Sequence, residues 1–242
     1  MKTTTSVCIA LFFVGISVFA CTDKKEPYKN DDFAITNVAV THHTDLQMTV
    51  WEITVKGKAG HTTPIPVGQL DGAPVLAYVF PTTLKPTDVG FNNTEGIVAL
   101  GLTSHPDFDD TPLWDENKDK IFDNDGIIWH PHWVVLVPDD RVEGGLAVKQ
   151  FKKGDTSVIL PPTNPGMPMY MDSPGYQVIT TGNTIKVMIP DYRIGTTTFS
   201  YDGVTSLMKV NTSIEDKPLL GVYEVYGVAS GDLSLPYKVT QN

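Results

Sequence analysis

The chain has 242 residues, of which 18 are Lys or Arg and 28 are Asp or Glu, for a formal net charge of −10. That acidic balance excludes nucleic acid and anionic lipid as natural partners, since both demand basic patches, and it favours cations. The 2 cysteines are Cys8, inside the apolar N-terminal run, and Cys21 at its end, so the body of the chain holds none; a disulfide-stapled scaffold and a cysteine-ligated zinc site are excluded there, and an ordinary apolar core must supply the stability.

The N-terminus reads as an export signal. Lys2 contributes a positive charge, and Val7 to Phe19 is almost wholly apolar. This run is shorter than the roughly 20 residues a spanning helix requires. It ends in Val18-Phe19-Ala20-Cys21, which resembles the lipobox of bacterial lipoproteins. The resemblance implies a signal peptide over residues 1–20, lipidation of Cys21, and a lipid anchor in the bacterial cell envelope, at the outer membrane or the periplasmic face. Residues 21–32 are polar and lack periodicity, as a flexible tether would.

From residue 33 onward no long stretch places apolar residues at helical spacing. Short runs rich in Val, Ile, Tyr and Thr alternate with Gly, Pro, Asn and Asp instead. The expected strands are Phe33–Val40, Leu46–Lys56, Val75–Phe80, Ile97–Leu102, Ile127–Val137, Leu146–Phe151 and Ser157–Leu160. They continue with Tyr176–Thr180, Thr184–Ile189, Phe199–Tyr201, Leu207–Val210, Gly221–Val228 and Leu235–Val239. Thr181-Gly182-Asn183 is the clearest hairpin turn. The pattern predicts an all-β fold, a sandwich or barrel, and among these a β-sandwich of Ig-like or jelly-roll type over residues 33–242. One large domain and two small ones divided near 161–174 are both compatible with it.

Between two of these strands lies a dense acidic run: Asp107, Asp109, Asp110, Asp115, Glu116, Asp119, Asp123 and Asp125. Oxygen donors at alternate positions let a curling loop aim them all at one hard cation. The spacing resembles the calcium loops of EF-hand and dockerin modules. That resemblance implies a calcium-type site at Asp115, Asn117, Asp119 and Asp123, with the Ile121 carbonyl and Asp125 as further oxygens. Lys120 stands where such loops carry glycine, Gly126 stands in place of their bidentate glutamate, and no helical pattern flanks the loop, so the stretch is not an EF-hand. The alternative is a solvated loop that Lys118 and Lys120 partly neutralise.

Directly after it comes Trp129-His130-Pro131-His132-Trp133. On a strand the two imidazoles share a face with Ile128, Val134 and Leu136, opposite the tryptophans. A His-x-His pair presents two nitrogens to zinc, copper or iron, and it resembles the first half of a cupin motif, although Leu136 and Val137 replace the glutamate. His105 is the nearest third ligand in sequence, with His61 or the His42-His43 pair as other candidates; hydrogen-bonded structural histidines are the competing reading. Met167, Met169 and Met171, at alternate positions, are a copper(I) alternative or simple gap-fillers. Exposed Tyr170, Tyr192, Tyr201, Tyr223 and Tyr226 could stack on sugars or pack across strands. No Gly-x-Ser-x-Gly elbow and no phosphate loop is present.

These features predict a non-enzymatic, envelope-anchored lipoprotein that binds metal ions. A metal-dependent enzyme using the His-x-His pair, or a surface protein that binds a glycan or another protein, are the alternatives.

Overall fold

The computed structural model describes residues 27–64, 70–106 and 127–242. Signal, lipidation site and acidic loop, including Cys21 and Asp115 to Asp125, therefore lie outside the described residues. The regular elements are β1 (Ile35–His43), β2 (Met48–Val55), β3 (Pro74–Pro81), β4 (Ile97–Ser104), β5 (His130–Pro138), β6 (Leu146–Val148) and β7 (Met171–Asp172). They continue with β8 (Val178–Thr181), β9 (Thr184–Pro190), β10 (Ser200–Tyr201), β11 (Val204–Val210), β12 (Leu220–Val228), β13 (Tyr237–Lys238) and β14 (Thr240–Gln241). Helical structure among the described residues is confined to short 3-10 turns, and no helix there is long and apolar enough to cross a membrane.

The all-β expectation holds, and the tertiary arrangement is specific. One sheet runs β14-β1-β2-β9-β8. The other runs β4-β3-β11-β12-β6-β5-β7, and because β4 also pairs with β5, strands β3, β4, β5, β6, β12 and β11 close into a six-stranded barrel. Closure removes the exposed edges that an open sheet would leave. β10 and β13 form a separate pair.

Burial follows this architecture. β2 alternates between half-buried and buried positions, as a strand with one covered face does. In β4 every position after Ile97 is buried, because one face packs into the barrel and the other against the outer sheet. Val98, Leu100 and Leu102 join Trp51, Trp133 and Phe80 in the core between barrel and sheet, while Ala99 faces the barrel core with Val75, Val134 and Met208. Trp51 anchors the seam: it stacks on Phe199 at 5.0 Å and meets Phe80 at 5.3 Å and Trp133 at 5.7 Å edge-on.

Several expectations need correction. Ser157–Leu160 forms no strand; Asp155 accepts from the Ser157 N–H and hydroxyl and turns the chain there, and the Ile159 backbone pairs with Asn92 instead of with a strand. The short strands β7 and β14 carry little pattern of their own and exist through their partners β5 and β1. Tyr170 and Tyr201 are buried core residues, so neither is an exposed sugar platform; the Tyr201 hydroxyl accepts from the Val40 N–H at 2.7 Å. The hairpin turn is Gly182-Asn183, with Thr181 opposite Thr184 and Gly182 at φ +62°.

Gly96, at the entry to β4, has φ +139°, and a Cβ there would stand 2.4 Å from Val135 Cγ1 and 2.8 Å from the Leu136 carbonyl oxygen. Gly96→Ala is expected to destabilise the protein by roughly 1–3 kcal/mol, read as a lower urea midpoint at unchanged slope.

Candidate metal centre

The strand register assembles the centre. β4 and β5 are antiparallel, with Thr103 opposite His130 and Gly101 opposite His132. Alternation turns Ala99, Gly101 and Thr103 of β4 to the same side as His130, His132, Val134 and Leu136 of β5. His105 follows β4 directly and continues that inward series.

The result is a trio. His105, His130 and His132 are all buried, and one nitrogen from each lies within 4.8 Å of the others. The His130 ring stands edge-on to both partners, 4.5 Å from His105 and 4.7 Å from His132, while His105 and His132 lie 5.9 Å apart and 26° from parallel.

Outer partners orient each ring. His130 Nδ1 lies 2.8 Å from the Ile128 carbonyl oxygen, His105 Nδ1 2.9 Å from that of Pro106, and His132 Nδ1 3.0 Å from the Ser173 hydroxyl. Carbonyl oxygens only accept, so these bonds put a proton on Nδ1 of both His105 and His130. In the neutral rings Nε2 is then a lone-pair donor. Those two Nε2 atoms face each other at 2.8 Å, with the Thr103 hydroxyl 3.4 Å from the His130 member. Two lone pairs so close are drawn together by a cation between them, either a proton or a metal ion.

Burial disfavours the proton. It pushes His105 down to about 4, and it holds His132 well below the ordinary histidine value, with repulsion from His130 and His105 adding to the effect. Imidazoles whose Nδ1 atoms are anchored, leaving Nε2 for the ion, are what zinc, copper and iron(II) sites employ. The donor set does not suit calcium, which takes hard oxygen ligands. For metal–nitrogen distances of about 2.0–2.1 Å, tetrahedral ligand nitrogens stand about 3.3 Å apart, so the His105–His130 pair would open by roughly half an ångström.

Acid should therefore weaken the metal-free fold. The unfolded chain takes up protons near pH 6.5, whereas burial keeps His105 and His132 from taking them up in the fold. Stability is intact above that pH, declines as pH falls, and the His105 share of the loss levels off near pH 4. That share is on the order of 2–3 kcal/mol, measured as urea midpoints between pH 7 and pH 4.

Of the sequence candidates, His105, His130 and His132 come together. His42 and His61 do not join them. His42 is held by Asp191 at 2.9 Å and by Gln241 at 2.8 Å, and the Asp191 carboxylate, followed by Gln241, raises its pKa; His61 pairs with Asp32 at the surface. Met167 and Met171 line the same cavity as His105 and His132, and Met169 is fully buried in the barrel core, bridged to Gln150. Sequence reasoning missed Ser173 and the carbonyls of Pro106 and Ile128. Ser173 lies 41 positions from His132, and it reaches the ring because β7 pairs with β5, placing Met171 opposite Val134.

Comparison of the chain with protein-family models, with curated proteins and with solved structures returned no match.

Proposed function

We propose that this protein binds one transition-metal ion through His105, His130 and His132, and does so as a non-enzymatic lipoprotein of the bacterial cell envelope, anchored through Cys21. One observation carries the reading: two buried imidazoles fixed by backbone carbonyls aim their Nε2 atoms at each other beside a third ring. Zinc and copper fit that donor set best, and Met167 and Met171 on the same cavity wall favour copper in its soft, reduced state. In this reading the fold is a β-sandwich of which one layer has closed on itself.

Metal-free protein titrated with cobalt(II), zinc and copper(I) tests it. One ion per chain, a tetrahedral cobalt spectrum and a metal-dependent rise in Tm are expected; absence of stoichiometric binding overturns it. Ser173→Ala, which removes the hydroxyl beside His132 Nδ1, should weaken the affinity about tenfold, as measured by chelator competition. A second ion, calcium, is proposed for Asp115, Asn117, Asp119, Ile121, Asp123 and Asp125; it predicts a Tm that falls in EGTA and returns with calcium alone. Cys21→Ala should shift the protein from the membrane fraction to the soluble one.

A catalytic reading, in which the metal keeps an open coordination position, draws support from the cavity that adjoins His105 and His132.

A further inference from the structure

The closed barrel is not filled. Its interior holds a cavity of about 80 Å³, several times the 10–15 Å³ or so that one water needs. The space has a sequence cause: inward positions of β3 and β4 carry Ala77, Ala99 and Gly101, too small to fill the interior against Met208, Leu220 and Val222 of β11 and β12. The wall is almost wholly apolar. Its few polar groups include Thr103, His105 and His132, which the β4–β5 register gathers in one place.

Water fits such a space poorly, because each buried molecule needs two to four polar partners. A dry void forfeits the contacts of every side chain around it. Neither objection applies to an apolar molecule with a single polar end, and the methionine side chains Met167, Met171 and Met208 supply a wall that can adapt to its shape.

We propose that the barrel interior is a binding site for a small apolar molecule, the size of a single aromatic ring, whose one polar group meets Thr103, His105 and His132. This goes beyond metal binding and does not depend on it. The apolar walls supply affinity, and the histidine end supplies orientation and selection for a hydroxyl or similar head.

The test uses the full chain with ¹³C-methyl-labelled methionine, titrated with p-cresol and with toluene, both metal-free and zinc-loaded. Saturable shifts of the Met167, Met171 and Met208 methyls are expected, with p-cresol at least threefold tighter than toluene and a Tm higher by a few degrees. A Cβ at Gly101 would meet only ordinary contacts, the nearest being Thr103 Cγ2 at 3.5 Å. Gly101→Leu should therefore fill the space and weaken p-cresol at least tenfold while zinc still binds. Ala77→Val, a milder filling, serves if the leucine variant does not fold. Unmoved methyl signals in the parent protein, or equal binding by parent and filled variants, would overturn the proposal. Loss of zinc binding with p-cresol binding intact counts only against the metal reading, and the reverse only against this one.

Discussion

Replacing His130 by alanine is expected to abolish the metal-induced rise in Tm. His130 is the central ring of the trio, perpendicular to both others and within 2.8 Å of the His105 nitrogen. Without it two imidazoles remain, 5.9 Å apart by ring centroids and nearly parallel, a poor arrangement for one ion. A loss of about a thousandfold in affinity corresponds to roughly 4 kcal/mol. An ion present at about 1,000 times its Kd stabilises the parent protein by a similar 4 kcal/mol, so the two calorimetric traces, with and without zinc, should nearly coincide in the variant. His61→Ala, which alters an exposed histidine paired with Asp32, should retain the full shift. If His130→Ala keeps the shift as well, the ion sits elsewhere. Metal-free His130→Ala is also expected to lose less stability in acid than the parent, because removing one ring relieves the repulsion that helps to depress His132.

Trp51→Ala should be the most damaging single change in the core. The side chain is fully buried between the outer sheet and the barrel, its indole N–H donates to Thr49 Oγ1 at 2.8 Å, and its ring touches Phe80, Trp133 and Phe199. Removing so large a buried ring costs about 3–5 kcal/mol, against a typical total of 5–15 kcal/mol for a folded protein. Urea unfolding at neutral pH should show the midpoint fall accordingly, with Trp51→Phe losing less than half as much. A cost below 1 kcal/mol would mean that this seam does not hold the outer sheet on the barrel. The metal centre lies on the opposite face of β5 from Trp133, so a Trp51→Ala protein that still folds should bind zinc with near-parental affinity.

Legibility from the chain alone was uneven, and the reason is periodicity. Alternation is local: His130 and His132 share a face, with Trp133 on the other, because successive side chains of any strand point opposite ways. The composition of β2, β3, β5, β9 and β12 marks them as strands for the same reason. Ser157–Leu160 has strand composition too, yet no neighbour offers it a ladder, and the Asp155 turn claims its backbone instead. Tyr170 and Tyr201 carry nothing in their local sequence to distinguish an exposed ring from a core one. Their burial comes from contacts with Phe91 and Phe151 in one case and Trp51 and Phe80 in the other.

What the amino-acid order by itself determined is the all-β character and the presence of paired imidazoles beside an acidic run, both consequences of near-neighbour pattern. Tertiary structure decided the rest. Pairing of β4 with β5 closes the barrel, brings His105 to His130, and leaves the small side chains of β3 and β4 facing a cavity. Pairing of β7 with β5 delivers Ser173 to His132. Such contacts join residues tens of positions apart, and no local preference encodes them; they form because closing the sheet satisfies backbone hydrogen bonds and buries apolar faces that an open edge would leave in water.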